Sequence, residues 1–516
     1  MGELVHPDLS WCGVLEHHAA RTPTKPLAVH GDRVVTYAEM QEWSAQVAGG
    51  LAARGVVAGD VVALLSYNNL EFLGTIFAAN HLGAIAMPIN WRLAAPELRF
   101  ILEHSSARAL VCGPELVDLA DAALTGFDDD LARVRIGDDV AAGWERFADL
   151  RADGAAPARA AAAADDLHRL MYTSGTTGRP KGVMLTHANL AWKNFAHVTE
   201  FGFTAGDVGL ACGPLYHVGA LDLVTTTMIA VGATTIVHTT FDAAQVVDEI
   251  ERSHITTIWA APAMVRAVLD VPGIESRDLT SVRVIIAGGE KMPIPTIERI
   301  RTTFPSAWFA DAYGLTETVS GDTFLDRDHT VSKLGSVGRP CQYLELDIRD
   351  EGGASLPPGE RGEVVLRGPK VFAGYWRDPD ATAAAFRGGW FHTGDIGVLD
   401  DDGFLSIVDR LKDMIVSGGE NIASSEVERV LDEHDAVVEV AVVGRPDARW
   451  GEVPVAFVVV DESATVSGAE LIDHCRAELA KFKVPKDVVF IDALPRNPSG
   501  KVLKRDLRDQ VRRGGP

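Results

Sequence analysis

At 516 residues the chain is too long for one ordinary hydrophobic core, which predicts two to four folded units. Its 47% hydrophobic and 23% charged content is that of a soluble globular protein. With 72 acidic against 48 basic residues, a net charge of −24, it lacks the basic face that a nucleic acid requires, although a nucleotide needs only a local positive site.

The first third alternates helix and strand signals. Thr36-Tyr-Ala-Glu39 has the form of a capping box and predicts a helix through about Ala53. A buried strand is expected over 60–65, a helix over 70–82 and a strand over 84–89. This βαβ rhythm implies a largely parallel, covered sheet. From Gly154 to Ala164 the chain is nearly all Ala with Pro and Arg, which reads either as a flexible connection or as a short helix. Beyond it, Thr186 can cap a helix starting at His187, and strands are expected over 233–237, 256–260 and 282–287 with a helix over 241–253. Between Gly335 and Val408 short β-like runs, such as 363–367 and 404–408, are punctuated by Gly and Pro and predict a smaller antiparallel or barrel-like part. The C-terminal stretch reads as a self-contained α+β unit. Capping boxes are expected there at Ser425-Glu-Val-Glu428 and Ser467-Gly-Ala-Glu470, and strands over 437–443, 453–460 and 488–491.

Five cysteines (Cys12, Cys112, Cys212, Cys341, Cys475) stand apart, with no Cys-x-x-Cys and no Cys/His cluster. They read as reduced core thiols, which points to the cytoplasm and away from zinc. The first residues lack a signal-peptide pattern, and no window approaches ~18 uninterrupted apolar residues, so no transmembrane segment is expected.

The densest chemical signal is Tyr172-Thr-Ser-Gly-Thr-Thr-Gly-Arg-Pro-Lys181. Thr173, Ser174, Gly175, Thr176 and Thr177 run unbroken as hydroxyl residues or glycine, with Gly178 and Lys181 behind them. Such a run offers N–H groups, hydroxyls and one ammonium to an anion with several oxygens, as a nucleotide triphosphate is. It is not a Walker loop, because no Gly-Lys-Ser/Thr follows the required spacing. Further on, Tyr313-Gly-Leu-Thr-Glu-Thr318 follows an expected strand at 307–310. Its ring can stack on a base, Thr316 can meet a phosphate oxygen, and Glu317 can bind a hard cation. Trp390-Phe-His-Thr-Gly-Asp395 ends on a carboxylate suited to a ribose diol. Taken singly, these two clusters are equally explained by a strand-end turn and by an Asp in a β-turn. Asp409-Arg-Leu-Lys-Asp413 marks a joint, and Leu494-Pro-Arg-Asn-Pro-Ser-Gly-Lys501 carries a lysine on a Pro/Gly-rich loop.

In order and spacing these clusters resemble the signature motifs of the adenylate-forming superfamily, which includes acyl-CoA synthetases, luciferases and peptide-synthetase adenylation domains. The resemblance runs from about Ser10 to Arg508. Ala86-Met-Pro-Ile-Asn-Trp-Arg-Leu93, Pro214-Leu-Tyr-His217, Ala287-Gly-Gly-Glu290 and Asp413-Met-Ile-Val-Ser-Gly-Gly-Glu-Asn421 look most like bacterial acyl-CoA synthetases of the fatty-acid type. It implies an α/β fold with a large N-terminal domain, 1–409, of two doubly wound α/β subdomains plus a small β-barrel-like subdomain. A small mobile α+β domain, 410–516, would follow. It also implies a two-step reaction: a carboxylate attacks the α-phosphorus of Mg·ATP, and the thiol of coenzyme A then displaces AMP from the acyl-adenylate. ATP, Mg²⁺ and coenzyme A are the implied cofactors, with a monomer or homodimer as the assembly.

Carried over residue by residue, the resemblance assigns Thr173 to Gly178 and Lys181 to the β/γ-phosphates, with Thr173 and Glu317 near the metal. Asp311 to Gly314 would carry Tyr313 against adenine, and Gly288, Gly289 and Glu290 would form the opposite wall. Thr316 would touch the α-phosphate, and Asp395 and Arg410 would grip the ribose. Lys501 would bridge the carboxylate and the α-phosphate, Lys412 would be the hinge, and Gly418 and Gly419 would line the pantetheine channel. Trp450 and Phe482 would contact CoA, and His217 would gate the acyl pocket. That pocket is expected around Gly219, Ala220, Trp259, Ala260, Ala287 and Gly288. Its small residues imply room for an extended or ringed group, and the absence of Lys or Arg favours a monocarboxylic acid. A medium- or long-chain fatty acid is the first expectation, with aryl or alicyclic acids next. The alternatives are a ligase that loads a carrier protein and a non-catalytic sensor of nucleotide or acyl ligand.

Overall fold

The computed structural model describes residues 8–512 apart from 128–129, 140–141, 154–155, 174–179, 290–291, 411–412, 418–419, 423, 448–449, 462–463, 480–482 and 497–499, with the backbone alone at 152–153, 410, 416 and 420–421. Local chemistry sets the helix starts. Thr36 Oγ1 accepts from the Glu39 amide at 3.2 Å and the Glu39 carboxylate accepts from the Thr36 amide at 2.8 Å, opening the helix Tyr37–Ala53. Thr186 caps His187–Phe201 through the Asn189 amide, and Ser467 with Glu470 caps Gly468–Glu478.

The chain divides into two units, Met1–Glu345 with Arg367–Gly389, and Leu346–Leu366 with Trp390–Pro516. Among the described residues, the first unit holds two mixed sheets. One has nine strands, and its parallel centre runs Trp308–Tyr313, Val284–Gly288, Thr257–Ala260, Val208–Ala211, Thr234–Val237 and Pro26–His30. The other has eight, with a parallel run Leu167–Thr173, Ile85–Pro88, Val61–Leu65, Ala107–Cys112, Ala132–Arg135 and Glu145–Arg146. All five residues of Val61–Leu65 are buried, as a strand covered on both faces requires. The stretch 156–163 is neither helix nor free linker: its backbone is irregular, and Arg159 ties it to Asp8 at 2.7 Å and Glu16 at 2.8 Å.

A buried ionic cluster lies inside this unit. Residues Gly219–Thr226 wind as a π-helix, and the freed Asp222 carbonyl accepts from Lys193 Nζ and, at 2.9 Å, from Thr227 Oγ1. The Asp222 carboxylate pairs with Arg169, and all three charged side chains are sealed from solvent. Burial pushes the Lys193 ammonium down to about 7.

The second unit contains an antiparallel sheet of Glu345–Arg349, Gly362–Arg367, Trp390–Leu399 and Leu405–Arg410. It also contains a five-stranded sheet built on the long pair Val437–Asp447 and Gly451–Val460. Alternating residues of that pair feed two cores. Val442, Ala456 and Val458 face Val427, Leu431 and Leu471, while Ala441, Val443, Val455 and Phe457 face Leu507 and Val511. The capping box expected at Ser425 does not form. The helix Ser424–Asp432 begins before the Glu426 start that such a cap would give, with the Ser424 amide and hydroxyl both donating to the Asp409 carboxylate at 2.7 and 2.6 Å. The Ser425 hydroxyl donates to the Val408 carbonyl instead.

The result is the expected mixed α/β architecture, a large N-terminal part followed by a small α+β part. All five cysteines are buried free thiols, and burial pushes Cys12, Cys112 and Cys212 up to about 12 and Cys341 and Cys475 up to about 11. No helix among the described residues is long and apolar enough to cross a membrane.

Candidate active site

Parallel strands place their following loops at one edge of a sheet, where open α/β folds bind ligands. In the nine-stranded sheet that edge gathers three of the sequence motifs. Ala260 pairs with Ala287, Ala287 with Asp311, and Gly288 with Ala312, so the ends of three adjacent strands lie side by side. Gly289 follows directly, and Glu290 lies outside the described residues.

After Tyr313 the chain makes a tight excursion. Gly314 lies so close to the returning strand that a Cβ there would stand 2.3 Å from the Gly321 amide nitrogen. Thr316–Thr318 form a 3₁₀ turn, and Val319, Ser320 and Gly321 then adopt φ of 57°, 62° and 65° in succession. Lys370, wholly buried, holds this turn: its ammonium donates to the Ser320 and Gly321 carbonyls at 2.9 and 2.6 Å and pairs with Asp322. Thr318 Oγ1 donates to the other Asp322 oxygen at 2.6 Å. Burial pushes the Asp322 carboxyl upward against the opposing pull of Lys370. Glu317 is held from the same direction, its carbonyl accepting from the Phe372 amide at 2.7 Å and its Oε1 from the Tyr375 hydroxyl at 3.0 Å.

In the eight-stranded sheet, Leu167–Thr173 and Lys181–Thr186 form the antiparallel stem of the Gly-rich loop, with Thr173 opposite Lys181. The loop itself, including Ser174, Gly175, Thr176, Thr177 and Gly178, lies outside the described residues. Gly374–Tyr375 pairs with the outer side of this stem and brings the Tyr375 ring to 4.9 Å from Lys181 Nζ. Thus Glu317, remote in sequence from the stem residues Thr173 and Lys181, joins their neighbourhood through Tyr375.

In the expected acyl pocket the indole of Trp259 lies on Gly219 and on the neighbouring Gly213. A Cβ on Gly219 would stand 2.3 Å from Trp259 Cζ2, and one on Gly213 would stand 2.7 Å from Cζ3. His217 stacks on the same indole at 5.9 Å and 24° between planes, and its Nδ1 accepts from the Gly219 amide at 3.1 Å. Ala220 is buried in the π-helix. Asn68, which sequence reasoning did not single out, spans the two sheets: it donates to the Gly213 carbonyl at 2.8 Å and accepts from the Leu215 amide at 2.8 Å.

In the second unit Asp395 is buried on Trp390–Leu399, directly opposite Arg410 in the ladder. Glu363 braces that strand through His392 Nδ1 at 2.7 Å and the Gly394 amide at 3.1 Å. The loop carrying Lys501 is pinched by a bridge between Arg496 and Val502, and Arg496 donates to the Gly500 carbonyl at 2.6 Å. Trp450 is exposed. Lys412, Gly418, Gly419, Phe482 and the Arg410 side chain lie outside the described residues.

A hydroxyl-rich sequence on a β-hairpin stem, an aromatic-carboxylate turn at a parallel sheet edge and a lysine-bearing loop in an α+β unit are features of the adenylate-forming class of acid-activating ligases. The comparisons agree. Residues 15–376 match the AMP-binding enzyme family and residues 426–501 match the AMP-binding enzyme C-terminal domain. The chain is 40% identical to a feruloyl-CoA synthase from Amycolatopsis sp., over 95% of this chain and 96% of that one. It is 39% identical to the long-chain-fatty-acid–CoA ligase FadD13 of Mycobacterium tuberculosis, over 92% and 93%. Its fold matches o-succinylbenzoate CoA synthetase (MenE) from Bacillus subtilis, solved with ATP and a magnesium ion, at TM-score 0.86 and 34% identity, covering 96% and 98%. The chain belongs to the AMP-binding enzyme family and is an AMP-forming acid–thiol ligase.

Proposed function

We propose that the protein activates a compact, ring-bearing monocarboxylic acid with Mg·ATP and transfers the acyl group to coenzyme A, releasing pyrophosphate and then AMP. The observation that carries the ring over an extended chain is the Trp259 indole, stacked on His217 and seated on Gly213 and Gly219. A flat aromatic wall shortens the pocket and offers a face for a second ring. Two of the relatives described above are named for aryl acids. The similarity to FadD13 supports a second reading, the medium- or long-chain fatty acid.

The chemistry needs positioned charge rather than a covalent intermediate, because negative charge builds on the α-phosphoryl oxygens and on departing pyrophosphate. Thr173, the following loop and Lys181 hold the β/γ-phosphates. Among the described residues no three His, Cys, Asp or Glu cluster as a metal cage. A lone carboxylate such as Glu317, aided by Thr173, suits magnesium that takes its other ligands from phosphate and water. Tyr313 flanks adenine across from Gly288, Gly289 and Glu290, with Asp311, Ala312 and Gly314 shaping that wall, and Thr316 meets the α-phosphate. Asp395 and Arg410 take the ribose, and Lys501 the α-phosphate and carboxylate. His217 guards the acyl entrance, next to Ala220, Ala260 and Ala287. Residues 1–409 form the adenylating domain and 410–516 the domain that turns about Lys412. Gly418, Gly419, Trp450 and Phe482 then receive CoA.

The test is a panel of cinnamic-type, arylacetic, alicyclic, fatty and dicarboxylic acids, scored by pyrophosphate release with and without CoA. The expected result is CoA-dependent turnover with the highest kcat/KM on a ring-bearing monoacid. A long-chain or dicarboxylic acid in first place overturns the substrate assignment. Adenylate accumulating regardless of CoA overturns the acceptor.

A further inference from the structure

We infer that Tyr375 is a positioning residue that sets the two opposite charges of the triphosphate site, Glu317 through its hydroxyl and Lys181 through its ring face. The inference rests on the reading above, in which Glu317 serves the magnesium of bound ATP.

Tyr375 is unusually well fixed. It pairs in the ladder with Val183, two residues beyond Lys181 on the loop stem, and its amide donates to Thr382 Oγ1 at 2.9 Å. Its ring packs edge-on against Phe372 at 4.9 Å, and Phe372 is the residue whose amide anchors the Glu317 carbonyl. Backbone and side chain of Glu317 are therefore held by one short segment, at 2.7 Å through Phe372 and 3.0 Å through the Tyr375 hydroxyl.

The type of donor matters. A lysine or arginine at this place would neutralise the carboxylate and compete with a divalent cation. A phenol orients the carboxylate while leaving its full negative charge, and it engages Oε1 alone. A phenol ordinarily ionises only near about pH 10, so it serves as a donor at neutral pH. The ring face meanwhile offers Lys181 a soft cation–π seat at 4.9 Å, which a phosphate oxygen outcompetes. One side chain thus keeps acid and base each aimed at ligand.

The test uses Mn²⁺ in place of Mg²⁺, followed by electron paramagnetic resonance on the full chain with α,β-methylene-ATP. Tyr375→Phe keeps the ring and its packing on Phe372 but loses the hydroxyl. It is expected to weaken Mn²⁺ binding on the order of tenfold, as loss of a partner behind a metal ligand does, with a cooperative melt like that of the parent. Tyr375→Leu removes the ring as well, and should further weaken metal-free binding of the analogue in EDTA. Mn²⁺ affinity unchanged in Tyr375→Phe, while Glu317→Gln weakens it, overturns the hydroxyl's role. Equal analogue affinity in EDTA for the Phe and Leu variants overturns the ring's role. Mn²⁺ affinity unchanged in Glu317→Gln overturns the metal assignment to Glu317, and the inference with it.

Discussion

Lys370 and Asp322 meet at 2.9 Å with neither side chain reaching solvent. The same ammonium reaches two carbonyls in the left-handed run Val319 to Gly321, so a single lysine fixes the turn behind Thr316 and Glu317. Lys370→Met strips Asp322 of its buried partner and is expected to destabilise the first unit by about 3–5 kcal/mol. Lys370→Met with Asp322→Asn should recover part of that loss. Urea melts of both variants measure it, and equal stability of the two would show that the turn, not the buried charge, carries the cost.

Trp259 should govern acid length. Trp259→Ala removes the indole seated on Gly213 and Gly219, opening the space it fills. Long-chain acids are expected to gain, and ring-bearing acids to lose, roughly tenfold in kcat/KM, the scale of one or two kcal/mol of pocket contact. Gly219→Ala should harm all acids, because its Cβ would stand 2.3 Å from the ring. Unchanged acid preference in Trp259→Ala would remove the tryptophan from the pocket.

Lys501 should matter to one half-reaction alone. Lys501→Ala is expected to slow adenylation on the order of 10²-fold or more, the cost of one electrostatic donor at developing charge. Thioester formation from supplied acyl-adenylate and CoA should change far less. Single-turnover measurement of each step checks this, and equal losses would refute a role confined to adenylation.

Three histidines predict the acid limb of stability. Burial holds His168 and His197 well below their usual value, and holds His187 down at about 4. The unfolded chain protonates each near pH 6.5 and the folded chain does not, so the unfolded state binds more protons below that point. Stability is therefore complete above about pH 6.5 and falls toward pH 4, by as much as about 4 kcal/mol per pH unit if all three act. His187→Gln should flatten that slope by about a third. Thermal melts across this range, with the variant as control, provide the measurement.

What could be read from sequence was what chemistry keeps local. The capping boxes at Thr36 and Ser467 formed because donor and acceptor sit three residues apart. The one at Ser425 failed because Asp409, fifteen residues away, claimed the neighbouring Ser424 amide. The hydroxyl-glycine loop, the Tyr313 turn and the Lys501 loop announced themselves by composition. Lys370, Tyr375 and Lys193 did not, since each acts on a segment tens of residues distant, 58 between Tyr375 and Glu317. Gly219 reads as open space from sequence, whereas the fold brings the Trp259 indole onto it. A glycine's missing side chain is room only until a neighbour's ring moves in.

The five cysteines carry a last consequence. Each sulfur is enclosed and disinclined to ionise, and none reaches the surface. A ligase that prepares mixed anhydrides for attack by sulfur thereby keeps its own thiols from competing with the incoming one. Acylation of its own cysteines, one hazard of such chemistry, is opposed by where those sulfurs lie.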